Sequence, residues 1–124
     1  MKKSFWAIVQ EMIRRSDVVL EVLDARMPDL TRIKKLEDYA VKYGKKLILV
    51  INKIDLVSPS TIRSIRERYN GLTYVMISSK VPKEVLHLIK VIKTQVRAKI
   101  VRVSFIGYPN TGKSSLLNTL SKHG

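Results

Sequence analysis

The stretch GYPNTGKS at residues 107–114 decides the fold of this chain. It matches the pattern G-x-x-x-x-G-K-[S/T] at every fixed position, and it stands between a β-branched apolar run and the apolar segment LLNTL at residues 116–120. In such a loop, backbone N–H groups surround phosphate oxygens at the start of a helix, while the lysine neutralises the β- and γ-phosphates. The pattern therefore predicts a strand, a nucleotide phosphate site with Lys113 and the magnesium ligand Ser114, and a helix that begins at Lys113.

The segments upstream of this loop alternate between apolar runs and amphipathic stretches. Four runs of consecutive aliphatic and β-branched residues predict strands that are covered on both faces, at residues 17–24, 47–52, 73–78 and 100–107. Apolar residues at helical spacing fill the intervals, and the helix before the last strand is predicted over residues 82–97. This alternation is typical of an α/β fold with a doubly wound parallel sheet, here a single domain over residues 1–124 of the P-loop NTPase type.

The first predicted helix has an apolar stripe that we expect to face the sheet. We expect Phe5 and Trp6 to anchor this helix in the core or at its margin, and not to form a surface on which bases stack. The stripe, read at helical spacing, consists of Phe5, Ile8, Val9, Met12 and Ile13.

The composition is strongly basic. Against 10 Asp and Glu residues there are 24 Lys and Arg, a formal net charge of +14, which predicts long-range attraction to a polyanion such as RNA. The sequence has no cysteine, and no apolar run approaches the roughly 20 residues that a membrane span needs. We therefore expect a cytoplasmic protein with no membrane partner. A basic face for RNA contact is predicted on the helix at residues 82–97, from Lys83, Lys90, Lys93 and Arg97.

A second set of polar residues follows the predicted strand at residues 47–52. The tetrapeptide NKID, residues 52–55, lies at the carboxyl end of that strand, where ligands of parallel sheets bind. Guanine presents two adjacent N–H donors that the Asp55 carboxylate can accept, whereas adenine presents an acceptor at the same edge. Asn52 can hydrogen-bond the base and the neighbouring loop, and the Lys53 stem can cover a ring face. The tripeptide SSK, residues 78–80, can close over the other side of the base.

The motifs NKID, SSK and GYPNTGKSS resemble the guanine-specificity and phosphate motifs of translation-factor-type GTPases. Their order resembles that of the circularly permuted GTPases that assist ribosome assembly, because the phosphate loop follows the base-reading motifs instead of preceding them. The stretch DARMP at residues 24–28 is similar to the D-A-R-x-P motif of those proteins. The resemblance implies binding of GTP or GDP with Mg²⁺, and ribosomal RNA or a ribosomal subunit as partner.

The resemblance also implies roles for individual residues. Ser114 would bind Mg²⁺, and Asn110 matches a position that coordinates K⁺ in some family members. In those proteins a switch threonine and a D-x-P-G segment follow the phosphate loop, and D-x-P-G does not occur in these 124 residues. We therefore expect an incomplete GTP-binding domain that lacks the switch segments and hydrolyses GTP poorly by itself. The implied nucleotide-binding residues are Asn52, Lys53, Asp55, Ser78, Ser79, Lys80, Asn110, Thr111, Gly112, Lys113, Ser114 and Ser115.

Two other functions stay open. The chain can be an ATP-using P-loop protein in which NKID is incidental, and such a protein would not select guanine over adenine. It can also be a basic RNA-binding module that keeps a nucleotide-type fold without binding nucleotide. Salt-sensitive RNA binding that GDP does not affect would favour this last alternative.

Overall fold

The computed structural model describes residues 4–123, without the side chain of His123. Within these residues strands and helices alternate, and a short 3-10 turn, Ile54–Leu56, follows the second strand. The elements in chain order are α1 (Phe5–Arg15), β1 (Val18–Asp24), α2 (Pro28–Thr31), α3 (Lys34–Lys42), β2 (Lys46–Asn52), α4 (Pro59–Arg68), β3 (Tyr74–Met76), α5 (Pro82–Gln95), β4 (Val103–Ile106) and α6 (Lys113–His123).

The four strands form one parallel sheet in the order β3-β2-β1-β4. β1 lies inside the sheet and pairs with β2 along its whole length, from Val18 opposite Lys46 to Asp24 opposite Asn52. β4 pairs with β1 and forms one edge of the sheet that the described residues build. The predicted parallel α/β sheet is therefore confirmed.

Helices cover both faces of this sheet because its inner strands are apolar on both sides. All seven residues of β1 are buried, and successive side chains point to opposite faces. α5 and α6 pack on the face that carries Leu20 and Val50. On the other face, α1 and α3 pack around Val19, and α4 packs on Leu23 and Leu49. The chain is doubly wound, which leaves the two ends of the sheet as the surfaces where polar loops meet.

The apolar stripe predicted for α1 is only partly buried. Val9 and Ile13 lie in the core, and Trp6 is partly buried with its ring 5.8 Å from that of Tyr39 on α3. The prediction that Phe5 anchors the helix is wrong, because this side chain is 82% exposed. α3 covers one flank of α1, whereas no described element covers the other flank. The exposed members of the stripe are Phe5, Ile8 and Met12.

The segment between α5 and β4 also differs from the prediction. α5 ends at Gln95 because Val96 is extended, with φ −138° and ψ 129°. Arg97 therefore lies outside the helix. The prediction of a basic face of four residues on α5 is wrong for Arg97. β4 begins at Val103 and not at Ile100, which is 81% exposed.

Candidate functional site

The residues predicted to bind a ligand meet at the carboxyl edge of the sheet. Asp24 and Asn52 are the last residues of β1 and β2 and lie opposite each other in register. The phosphate loop, residues 107–112, begins where β4 ends, and the loop at residues 78–80 lies between β3 and α5. Strands of a parallel sheet end at the same edge, so segments that are far apart in sequence become neighbours there.

The phosphate loop turns sharply into a helix. Asn110 and Gly112 adopt left-handed backbone conformations, with φ of 69° and 90°. Thr111 between them is 1% exposed, and its hydroxyl donates a hydrogen bond of 2.9 Å to the carbonyl oxygen of Tyr108. This contact closes the loop on itself just before α6 begins at Lys113.

The start of α6 lines a cavity of about 230 Å³. The first backbone N–H groups of a helix have no acceptor within the helix, and together they carry partial positive charge. An anion in this cavity would meet those groups as well as the Lys113 ammonium. The cavity lining consists of Tyr108, Pro109, Asn110, Gly112, Lys113, Ser114 and Ser115.

Asn52 joins the phosphate loop to the loop at residues 78–80. Its side-chain Nδ2 donates to the carbonyl oxygen of Thr111 at 3.0 Å, and its Oδ1 accepts from the backbone N–H of Ser79 at 2.9 Å. Asn52 is 1% exposed, so its amide is shielded from water and holds both partners firmly. The amide therefore sets the separation of the two loops.

Lys53 links the phosphate loop to the end of β1. Its ammonium donates to the carbonyl oxygen of Asn110 and lies 3.5 Å from Oδ2 of Asp24. Asp24 in turn accepts hydrogen bonds from Nε and Nη2 of Arg26, at 3.0 and 2.8 Å. The hydrogen bonds from Arg26, aided by the charge of Lys53, lower the pKa of Asp24 to about 2 in spite of its burial. Asp24 is therefore ionised at neutral pH and orients both cations.

Asp55 lines a second cavity, of about 250 Å³, beside the first. Gly112 and Ser115 line both cavities, which therefore adjoin. Asp55 is exposed, and within the part of the chain that the structure describes its carboxylate makes no hydrogen bond or ion pair. Its oxygens are thus available to accept hydrogen bonds from a ligand. The other lining residues are Arg26, Asn52, Lys53, Leu56, Ser78, Ser79 and Lys80.

The loop at residues 78–80 is held in place by the first turn of α5. The backbone N–H of Ser78 donates to Oε1 of Glu84 at 2.9 Å, and the hydroxyl of Ser78 accepts from the N–H of Lys80 at 3.3 Å. Ser78 is buried, whereas Ser79 is partly exposed and Lys80 is exposed. All twelve residues implied by the motifs thus lie at this edge of the sheet.

Three residues of this edge had no role in the sequence-based site. Asp24 and Arg26 belong to the DARMP stretch, which by itself assigns them no role in binding, and no sequence motif includes Glu84. Asp24 and Arg26 follow a buried strand in the same way as NKID does, and that position was a usable signal. Glu84 lies in a helix, and only the folded chain shows that it holds the loop at Ser78.

Gly112 is predicted to be intolerant of a side chain. A Cβ at this position would overlap Nδ2 of Asn52, and the φ of +90° is itself strained for an L-residue. We expect Gly112→Ala to lower the free energy of unfolding by about 3 kcal/mol, from backbone strain and the displaced Asn52 amide together. Gly71→Ala is the matched control, because Gly71 has the same φ and nothing within 4 Å of the added Cβ. Urea unfolding measures both; equal losses would contradict the importance of the Asn52 contact.

The described residues contain neither a metal-binding cluster of side chains nor a membrane-spanning helix. Among residues 4–123, no group of three or more His, Cys, Asp or Glu side chains is placed to hold a metal ion. None of the described helices has the length and apolar character required to cross a bilayer.

Comparison with known proteins agrees with the geometry at this edge. A family model described as RsgA GTPase matches residues 8–124, which include every motif residue named above. The chain belongs to the RsgA GTPase family.

Several known proteins are similar to this chain over nearly its whole length. The uncharacterized GTP-binding protein MJ1464 of Methanocaldococcus jannaschii is 40% identical over 117 residues, which cover 92% of this chain and 31% of that protein. Nucleolar GTP-binding protein 2 of Saccharomyces cerevisiae is 39% identical over 130 residues, covering 97% of this chain and 26% of that protein. The GDP-bound structure of TM YlqF matches with a TM-score of 0.71 and 27% identity, covering 94% of this chain and 48% of that one.

Membership of the RsgA GTPase family confirms the predicted fold and the predicted resemblance. In its motif order and its parallel sheet, the chain has the pattern of a circularly permuted P-loop GTPase domain. It spans about a third or less of the length of these curated relatives and about half of the solved structure.

Proposed function

We propose that this chain binds a guanine nucleotide at the carboxyl edge of its sheet, with the phosphates in the cavity at α6 and the base in the cavity at Asp55. The observation that carries the proposal is the Asn52 contact, because it holds the phosphate loop and the loop at residues 78–80 together beside the Asp55 carboxylate, which has no partner among residues 4–123. Family membership and the GDP-bound structural neighbour support the same ligand.

The phosphate end of this site offers a helix N-terminus and a lysine. Lys113 would neutralise the phosphates, and the backbone N–H groups at the start of α6 would donate to their oxygens. Ser114 lines the same cavity, and its hydroxyl fits a single Mg²⁺ contact, with phosphate oxygens and water completing the coordination. Asn110 also lines this cavity and would hold K⁺ if the site takes one. Its left-handed φ of 69° also suits the asparagine as a turn residue that binds no ion.

The base end of the site offers an acceptor where guanine has donors. The Asp55 carboxylate would accept from N1–H and N2–H of guanine, whereas adenine would place its N1 acceptor opposite the carboxylate. Lys53 is held across the cavity by Asp24 and Asn110, so its aliphatic stem can pack on the ring. Ser79 and Lys80 line the remaining wall. The two cavities together have the scale of a small-molecule site, roughly 300–1,000 Å³.

We further propose that residues 1–124 act as one nucleotide-binding unit whose partner is ribosomal RNA or a ribosomal subunit. The net charge of +14 supports a polyanionic partner. Among the relatives, the yeast protein is named as nucleolar, and the nucleolus is not a cytoplasmic compartment. The cytoplasmic location of this chain stays a prediction.

Competition between nucleotides tests the proposed base selectivity. Fluorescent GDP titrated into the chain with Mg²⁺ should bind, and unlabelled GDP should displace it at least about a hundredfold better than ATP, because a wrong base leaves polar groups of the site unpaired. Equal competition by ATP would indicate an ATP-using P-loop protein. Binding of neither nucleotide would indicate an RNA-binding module with a nucleotide-type fold. Repeating the titration with Na⁺ in place of K⁺ tests the role of Asn110.

A further inference from the structure

The end of the sheet opposite the nucleotide site is densely positive. Helices that connect parallel strands run back along the sheet, so their C-termini and the starts of the strands lie at this amino edge. The segments that meet there, residues 14–17, 42–46 and 93–102, contain nine basic residues and one acidic residue, Asp17. We call this surface the basic pole. Its basic residues are Arg14, Arg15, Lys42, Lys45, Lys46, Lys93, Arg97, Lys99 and Arg102.

Hydrogen bonds bring the segments of the basic pole together around Asp17. The backbone N–H of Asp17 donates to the carbonyl oxygen of Arg102 at 2.8 Å, and its own carbonyl oxygen accepts from the N–H of Lys46 at 3.2 Å. Lys45 reaches α1, where its ammonium donates to the carbonyl oxygen of Arg14 at 2.9 Å. Charges from three separate segments therefore share one continuous surface.

Helix capping does not account for this charge. Arg14, Arg15, Lys42 and Lys93 lie in the last turns of helices, where cations interact favourably with the helix dipole. Lys45 lies in a connection and donates to a carbonyl oxygen in the last turn of α1. The other four lie in connections or at strand starts, where no helix end accounts for their charge. Carboxylates near the pole neutralise only a small part of this charge. Asp17 lies 3.8 Å from Nε of Arg102, and Glu11 pairs with Arg15. Such self-repulsion destabilises the folded chain unless a polyanion relieves it.

We propose that the basic pole binds RNA through its phosphate backbone. Charge complementarity supports a polyanion, and the ring of Tyr43 supports RNA over other polyanions. Tyr43 is 45% exposed at the end of α3, with the Lys42 ammonium 5.7 Å from its ring centroid. An exposed ring among cations allows an unpaired base to stack while its phosphates contact the lysines. The inference deepens the proposed function, because it assigns a surface to the proposed RNA partner.

The basic pole and the nucleotide site lie at opposite ends of the strands. β1 and β2 have seven residues each, which separates the two surfaces by about 20 Å at about 3.3 Å per residue. RNA and nucleotide can therefore bind at the same time, and variants of the pole should leave GDP affinity unchanged.

A charge-neutralised variant tests the proposal. Lys42, Lys46, Arg97 and Lys99 are exposed, and in the part of the chain described none pairs with a carboxylate, so their replacement by glutamine should not unfold the protein. Binding of a fluorescein-labelled oligouridine, followed by anisotropy at several salt concentrations, should weaken about tenfold or more at 0.1 M salt. The slope of log affinity against log salt should fall by about 3, from the loss of four phosphate contacts. Tm should stay the same or rise, because repulsion is relieved.

The matched control removes the same charge elsewhere. Lys34, Arg63, Lys83 and Lys90 are exposed on α3, α4 and α5, outside the last turns of these helices, and replacing these four by glutamine should change oligouridine affinity by less than about threefold. Equal losses of oligouridine affinity in the two variants would overturn the proposal. They would indicate that RNA binds through the overall positive charge of the chain or through the basic face of α5. Binding of the unmodified chain to phosphatidylserine vesicles and not to oligouridine would overturn it in favour of a membrane surface. GDP titration of both variants reports separately on the nucleotide site.

Discussion

Asp55→Asn should exchange the base preference of the chain from guanine to xanthine. One carboxylate oxygen becomes an NH₂ group, which would face an N–H donor of guanine but the second carbonyl oxygen of xanthine. The loss of a charged hydrogen bond and the unpaired donor together cost about 3 kcal/mol, so GDP affinity should fall by about a hundredfold or more while xanthosine diphosphate affinity rises. Competition against fluorescent GDP and fluorescent xanthosine diphosphate measures the exchange.

The structure offers a clean control for this exchange. Asp38 is exposed on α3 and pairs only locally with Lys34, at 3.2 Å, so Asp38→Asn changes the net charge equally without touching the site. It should leave the affinity for both nucleotides unchanged. Unchanged preference in Asp55→Asn would place Asp55 outside the base pocket. Because Asp55 is exposed and makes no described protein contact, its replacement should not alter the stability of the chain.

Glu21→Gln should stabilise the chain by about 3 kcal/mol at pH 7, from the change in proton linkage alone. Glu21 is fully buried inside β1, where its Oε2 accepts from the N–H of Ile33 at 2.7 Å. Burial, and then the neighbouring Glu37, raise the pKa of Glu21 to about 9 from the ordinary 4.5. The side chain is therefore neutral in the folded protein at pH 7, and ionised in the unfolded chain.

The sign of the pH dependence follows from these two pKa values. Below about pH 4.5 Glu21 is protonated in both states and contributes no slope. Between about pH 5 and pH 9 the folded state holds one proton more than the unfolded state, so stability falls as pH rises, by about 1.4 kcal/mol per pH unit. Glutamine has no titratable proton, so its contribution to stability does not change over this pH range. The stabilising effect of Glu21→Gln should therefore be small near pH 4.5 and should grow steadily toward pH 9.

The geometry around Glu21 explains why glutamine fits. When Glu21 is ionised, its Oε1 has no hydrogen-bond partner among the described residues. When Glu21 is protonated, the proton on Oε1 can donate to Glu37. Glu37 is itself held by Arg32, whose Nη2 and Nε donate at 2.6 and 3.0 Å, and its pKa is lowered by that pairing although burial opposes it. The NH₂ of glutamine can donate to Glu37 in place of the proton.

Urea unfolding of the unmodified chain and Glu21→Gln across this pH range measures the effect. Glu67→Gln, at an exposed position of α4, controls for the general loss of a negative charge and should leave the free energy of unfolding nearly unchanged. A constant difference between Glu21→Gln and the unmodified chain at all pH values would contradict a buried neutral Glu21.

Local sequence was sufficient for those parts of the site that follow single strands. The phosphate loop, NKID and SSK each lie where the sequence predicted, because each comes directly after an apolar run that can only be a buried strand. The contacts between these motifs were not predictable. Asn52 bonds Thr111 across 59 positions in sequence, and the Lys53 ammonium meets Asn110 across 57.

The sequence by itself determined the α/β class, the permuted motif order and the chemistry of the ligand-facing side chains. These properties depend on residue type and local spacing, which a linear pattern carries. Only the tertiary structure decided which flank of α1 is covered, where α5 ends, and that Glu84 holds the loop at Ser78. It also decided that basic residues from three distant segments share one end of the sheet. Burial and charge density depend on which elements pack side by side, and that is a property of long-range contacts.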